Sequence, residues 1–163
     1  MRTTIYGSFI VTLSLGSFTS ALAQNNSQNK ESNDAYRQLG RQDYEKFLSG
    51  KTIKGEYRFM RERSKTFRFE EHHNTDGTTD YKEGSIRSKG LWFILGEHKI
   101  CYKYPNDSEM FAGTSCFWVY KADKCYYGYN LGAMTLRGPR NFSNWGARWI
   151  IKGDGGSCAP SLS

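Results

Sequence analysis

Apolar and polar positions change their spacing once along this chain, near Gly50. Before it, Tyr36, Leu39, Tyr44, Phe47 and Leu48 recur at helical intervals, and Gly50 supplies a stop, so Asp34 to Leu48 is predicted as a short helix. After it the period is two. Thr52 to Tyr57 is a predicted first strand, and Thr66 to His73 alternates Phe67 and Phe69 with Arg68 and Glu70. Asn74-Thr75-Asp76-Gly77 is a hairpin signal, because Asp-Gly tolerates the positive φ such turns need. Further strands are expected at Leu91–Ile94, Lys99–Tyr104, Ser115–Tyr120, Cys125–Tyr129 and Ala147–Ile151, with turns at short, regular intervals between them. Seven or eight short strands behind one helix predict a mainly β fold: a single antiparallel β-barrel or strongly curved sheet. Nothing divides 35–158, and no internal repeat occurs.

The first residues follow neither pattern. Arg2 gives a small positive start, Ile5 to Phe18 is an apolar stretch diluted by Ser, Thr and Gly, and Ala21-Leu22-Ala23 places small residues where a signal peptidase reads them. The stretch is too short and interrupted to cross ~30 Å of hydrocarbon as a helix. Residues 1–23 are therefore expected to be a signal peptide cut after Ala23, with 24–34 a polar, disordered lead-in and 159–163 a tail. No later run approaches membrane length, so no membrane span is expected in the mature chain, and the location expected is periplasmic or secreted.

Composition sharpens this. The full chain carries 23 Lys and Arg against 16 Asp and Glu, and losing Arg2 with the leader leaves a mature charge of +6. All four Cys lie in the mature part, an even number in an exported chain, which favours two disulfides over thiol chemistry. If the strands around 99–104 and 113–120 pair antiparallel, Cys101 stands opposite Cys116. Cys125, just past the Ala122-Asp123-Lys124 turn, is then left to tie down Cys158.

The motifs of common chemistries are missing. Gly50-Lys51-Thr52 lacks the earlier glycine of a phosphate loop, since position 45 is Glu, and neither a Gly-x-Ser-x-Gly elbow nor a His-Glu-x-x-His helix occurs. Glu70-Glu71-His72-His73 is the one carboxylate–imidazole cluster, and on a strand only alternate members share a face. Glu71, His73 and His98 are thus the sole set worth testing as a metal or acid–base site. The reading for it is a solvated polar strand end beside a turn, with no metal, no cofactor and no catalytic residue. Positive charge is more abundant. Arg61, Arg63, Lys65 and Arg68 form the densest run, and Arg137, Arg140 and Arg148 a second group around Gly138-Pro139. Basic residues beside Tyr, Phe and Trp suit an anionic ligand. For an exported protein that means an envelope lipid or glycan rather than nucleic acid. A non-catalytic binding module for an anionic or apolar envelope component is the leading expectation, an aromatic-lined barrel mouth taking the apolar part, with a hydrolase of unrecognised site as a further alternative.

Two resemblances bear on this. Leu48-Ser49-Gly50-Lys51-Thr52, Asp76-Gly77-Thr78, Gly90-Leu91-Trp92, Ile100-Cys101-Tyr102-Lys103-Tyr104-Pro105 and Ser115-Cys116-Phe117-Trp118-Val119-Tyr120 resemble an uncharacterised family of small exported proteobacterial proteins, known only as a domain of unknown function. The likeness covers about 45–130 and implies a lipocalin-like β-barrel with a bacterial periplasmic or secreted location; it brings no site residues. Ser143-Asn144-Trp145-Gly146-Ala147-Arg148-Trp149 followed by Lys152-Gly153-Asp154 is similar to a stretch of the periplasmic inhibitors of C-type lysozymes. That likeness implies a lysozyme-like enzyme as partner, with Ser143 and Lys152 entering its cleft. A charge of +6 opposes long-range approach to a strongly basic lysozyme.

Overall fold

The computed structural model describes residues 35–58, 66–105 and 113–158. Its strands are β1 (Arg37–Gln38), β2 (Lys51–Tyr57), β3 (Phe67–His73), β4 (Thr78–Glu83), β5 (Ile86–Leu95), β6 (Lys99–Tyr104), β7 (Gly113–Ala122), β8 (Cys125–Tyr129), β9 (Met134–Thr135), β10 (Gly138–Pro139) and β11 (Ala147–Ile151), with one helix, α1 (Arg41–Leu48). Strands β2 to β8 run as an antiparallel meander. Strand β11 then fits between β8 and β2, and the β7–β8 pairing completes a closed eight-stranded barrel. The fold class expected from the alternation is the one observed.

Alternation decides what each strand contributes. The register that pairs Gly55 with Phe69 and Trp149 turns Ile53, Phe69, Glu71, His73, Tyr81, Trp92, Ile100, Tyr102, Tyr104, Val119, Tyr126 and Trp149 inward. Such close packing leaves no room for a side chain at Gly55 or Gly90. A Cβ on Gly55 would lie 2.4 Å from the Arg148 carbonyl oxygen and 2.7 Å from the Trp149 Cβ, and one on Gly90 would lie 2.7 Å from the Tyr104 ring. Gly55→Ala is accordingly expected to lower stability by about 1–3 kcal/mol through overpacking at the β2–β11 seam. A melting curve indistinguishable from wild type would contradict that packing.

One end of the barrel is stopped by α1. Leu39, Tyr44 and Leu48 are buried in the same cluster as Ile53, Ile100, Val119 and Ile151. The Tyr44 hydroxyl donates to the His98 carbonyl at 2.8 Å. The helix starts later than its periodicity suggested, and the physical reason is visible at Gly40. This residue is extended (φ −112°, ψ −178°), and its N–H donates to the Asp43 carboxylate at 3.1 Å. The residues before it are strand: β1 pairs with β7, and the Leu39 N–H continues the ladder to the Val119 carbonyl at 2.9 Å. Arg37 forks onto Asp43 at 2.8 and 3.0 Å and holds that carboxyl below its ordinary pKa.

The hairpin signal at Asn74–Gly77 implies a return strand, but the sequence pattern gives no bounds for β4, and β5 begins five residues before its predicted start. In β4 only Thr79 and Tyr81 turn fully inward, between exposed Asp80 and Lys82, so the segment carries little apolar signal. The Asn74–Gly77 turn that leads into it is as predicted, with Gly77 at φ +86°.

The two disulfides join Cys101 to Cys116 and Cys125 to Cys158. The first lies across β6 and β7, in the hairpin register expected from the sequence. A second, smaller core covers the outside of β7 and β8, where Tyr120, Tyr127, Tyr129 and Trp145 pack with Tyr36 and Phe142. Disulfides are compatible with export to an oxidising compartment. Among the described residues no helix is long and apolar enough to cross a membrane.

Candidate functional site

The outward faces of β11, β2, β3 and β4 form a shallow groove of about 510 Å³. Cross-strand pairing builds it in rows. One row runs Ile150, Lys54, Glu70, Lys82, Arg87, and the next runs Arg148, Glu56, Arg68. In the first row Glu70 is enclosed by cations: Lys152 Nζ lies at 3.0 Å and Lys54 Nζ at 3.6 Å, on its two carboxylate oxygens. The Lys152 hydrogen bond, more than any other contact, holds the Glu70 carboxyl below its ordinary pKa, so it stays ionised. Arg68 and Lys82 are exposed along the same groove.

Arg148 behaves differently. It is 5% exposed and places its guanidinium on Glu56, itself 7% exposed, with Nε at 2.6 Å and Nη2 at 2.5 Å from the same carboxylate oxygen. Above this pair lies the Trp145 ring, with the Arg148 guanidinium 4.5 Å from its centroid and that of Arg58 3.8 Å from it. Arg58 also ties down the backbone there, donating from Nε to the Trp145 carbonyl at 2.8 Å and from Nη2 to the Ser143 carbonyl. Arg148 and Glu56 therefore cancel as a covered pair. The groove is left with Lys54, Arg68, Lys82 and Lys152 around the Glu70 carboxylate, an excess of positive charge at its surface.

The charge runs of the sequence are thus divided. Arg68 and Arg148 meet in the groove, one as a surface cation and one as a buried tie. Arg61, Arg63 and Lys65 lie outside the described residues, between Arg58 and Thr66. Arg137 and Arg140 are exposed on the β9–β10 hairpin, which packs over the outside of β7: a Cβ on Gly138 would sit 3.2 Å from the Tyr120 hydroxyl. Lys54 and Lys82 were not singled out by linear density. They join Arg68 only through register, and their shared outward parity was the one signal that could have found them.

Ser143 and Lys152 stand before and after β11, a full strand apart. Ser143 closes a turn on the Asn141 side chain, its hydroxyl 2.8 Å from Oδ1, while Lys152 is engaged by Glu70.

Glu71 and His73 do share a face, but it is the inward one: both are buried rather than solvated, because their parity on β3 matches Phe69, and hydroxyls meet the Glu71 carboxylate and the His73 Nε2. Glu71 accepts from Thr79 at 2.9 Å and from Tyr104, and His73 Nε2 meets the Tyr102 hydroxyl at 2.9 Å. His98 is in the β5–β6 turn, its Nδ1 3.2 Å from the Leu39 carbonyl oxygen. Among the described residues no three His, Cys, Asp or Glu side chains are grouped as metal ligands. Nearer the other barrel end, Glu83 accepts from both Tyr57 and Tyr81 at 2.8 Å. The interior is therefore aromatic and acidic, and the cations are on the outside. The chain matches no family model, no curated protein and no solved structure.

Proposed function

We propose that this is an exported, non-catalytic binding module whose outer groove takes an anionic glycan of the cell envelope. The observation that carries the reading is the set of outward cations, Lys54, Lys82 and Lys152 with Arg68 nearby, gathered around the carboxylate of Glu70. A ligand bearing phosphate or carboxylate groups along a sugar chain matches that spacing of separate positive charges better than a compact anion does. The signal-like leader, cut after Ala23, and the two disulfides support a periplasmic or secreted location, and the closed barrel suits the lipocalin-like family that the sequence resembles.

Reversing Arg68 and Lys82 together (Arg68→Glu, Lys82→Glu) is expected to weaken binding to lipopolysaccharide or anionic peptidoglycan fragments about ten-fold or more, and to flatten the dependence of affinity on salt. Titration calorimetry across a salt series reads both effects. Should neither glycan bind the wild-type protein, or should the reversed variant bind equally well, the reading fails.

A further inference from the structure

The barrel side away from the groove carries a different chemistry. The outward residues of β5 are Arg87, Lys89, Leu91, Phe93 and Leu95, and the last three are 50%, 40% and 47% exposed. They stand in one line along the strand. Register sets Lys103 beside Leu91, the Cys101–Cys116 disulfide beside Phe93, and Lys99 beside Leu95. One strand further, Lys99 Nζ lies 5.1 Å over the Trp118 ring. The outward positions of β5, β6 and β7 include four cations and no acid. Among the described residues, the carboxylates bordering these positions are Asp80 on β4, which Lys89 engages at 3.0 Å, and exposed Glu97 in the β5–β6 turn.

Three large apolar side chains in a line on a solvent face are costly to leave uncovered and mark an interaction surface. Strand addition does not explain them, because β5 is hydrogen-bonded on both sides, to β4 and to β6. A second copy of the chain packed through the same face would set one lysine-edged surface against another with no acid on the strands of either, a repulsive arrangement in a two-fold interface. The pattern of an apolar line edged by lysines with no acid among them complements an anionic bilayer surface. There, apolar side chains enter the headgroup boundary while the long lysine stems reach back to phosphate level.

We propose that the outer face of β5–β7 seats the protein on an anionic lipid bilayer, with Leu91, Phe93 and Leu95 entering the interface and Lys99 and Lys103 meeting lipid phosphates. This goes beyond glycan capture in the groove and uses none of the groove's residues. The test is co-sedimentation of the mature protein with vesicles of phosphatidylcholine alone or mixed with phosphatidylglycerol. The wild type is expected to partition onto the phosphatidylglycerol vesicles about ten-fold or more better than onto neutral ones, and to be released by salt. Phe93→Ser with Leu95→Ser is expected to cut that partition about ten-fold, as is Lys99→Glu with Lys103→Glu, whereas Arg68→Glu in the groove leaves it unchanged. All these positions except Lys99 are exposed, and thermal melting of each variant separates lost binding from lost fold. The proposal is overturned if the wild type ignores phosphatidylglycerol vesicles or binds neutral ones equally. It is equally overturned if the serine variant partitions like wild type, or if that variant instead abolishes a dimer seen in analytical ultracentrifugation. Failure of the vesicle assay leaves glycan binding in the groove standing, and failure of Arg68→Glu to affect glycan leaves the bilayer result standing.

Discussion

Replacing Arg148 by alanine is expected to destabilise the folded protein by about 3–5 kcal/mol. The guanidinium is buried against Glu56 and covered by the Trp145 ring. Removing it leaves a carboxylate that is 7% exposed with its charge partner gone, under a segment that Arg58 pins down by its bonds to Ser143 and Trp145. The cost comes mostly from that stranded charge, since an intact buried pair contributes little over apolar residues of equal volume. Replacing both partners with apolar residues, Arg148→Met and Glu56→Leu, is therefore expected to recover most of the loss. Arg68→Ala supplies the contrast: its side chain is exposed, and a change within about 0.5 kcal/mol is expected. Urea unfolding of the four proteins gives the comparison directly. A loss below about 1 kcal/mol for Arg148→Ala would mean that the 143–146 segment opens and lets water reach Glu56, and the account of the pair would then be wrong.

Those two arginines also mark how far the sequence was legible. Both were selected for the same reason, positive charge near aromatic residues, and linear sequence offers no means of separating them. Separation depends on which outward positions lie under the 130–146 segment, which is settled by tertiary packing. What could be read was whatever is encoded at short range. The alternation of Phe67 and Phe69 with Arg68 and Glu70, the Asp76-Gly77 turn, and the antiparallel 99–104/113–120 hairpin each follow from local backbone and side-chain direction, and the last also placed Cys101 opposite Cys116. The errors occur where a local signal was weak or was overridden. Tyr36 and Leu39 fit a helical spacing, yet Arg37 and Gln38 find a strand partner in β7 before α1 begins at Arg41. Strand β4 has only Thr79 and Tyr81 to announce it. The groove joins Lys54, Arg68 and Lys82 from three strands, so it exists only once register is set.

Glu71 and His73 are expected to give stability slopes of opposite sign that nearly cancel in the wild type. Both lie inside the barrel, 4% and 0% exposed. Burial pushes the Glu71 carboxyl from 4.5 up to about 7, against the lowering effect of the Tyr104 and Thr79 hydroxyls. The same loss of hydration holds the His73 imidazole from 6.5 down to about 4. A raised carboxyl contributes stability that is complete below pH 4.5 and is lost as pH rises through about 7. A depressed imidazole contributes stability that is complete above pH 6.5 and is lost as pH falls through about 4. Each shift corresponds to about 3 kcal/mol, so over the same interval one group loses what the other gains. Single substitutions uncover the halves. Glu71→Gln keeps the acceptor for Tyr104 and removes the titration, and the wild type's advantage over it should shrink by about 3 kcal/mol on going from pH 4 to pH 8. His73→Gln should show the reverse, with the wild type's advantage shrinking by a similar amount from pH 8 to pH 4. Taking differences between proteins at each pH cancels the common loss from Asp43, Glu70 and Asp80, whose lowered carboxyl values remove stability only in acid. Difference curves that stay flat across this range would show that water reaches both groups. The polar interior would then be a wet mouth rather than a sealed core.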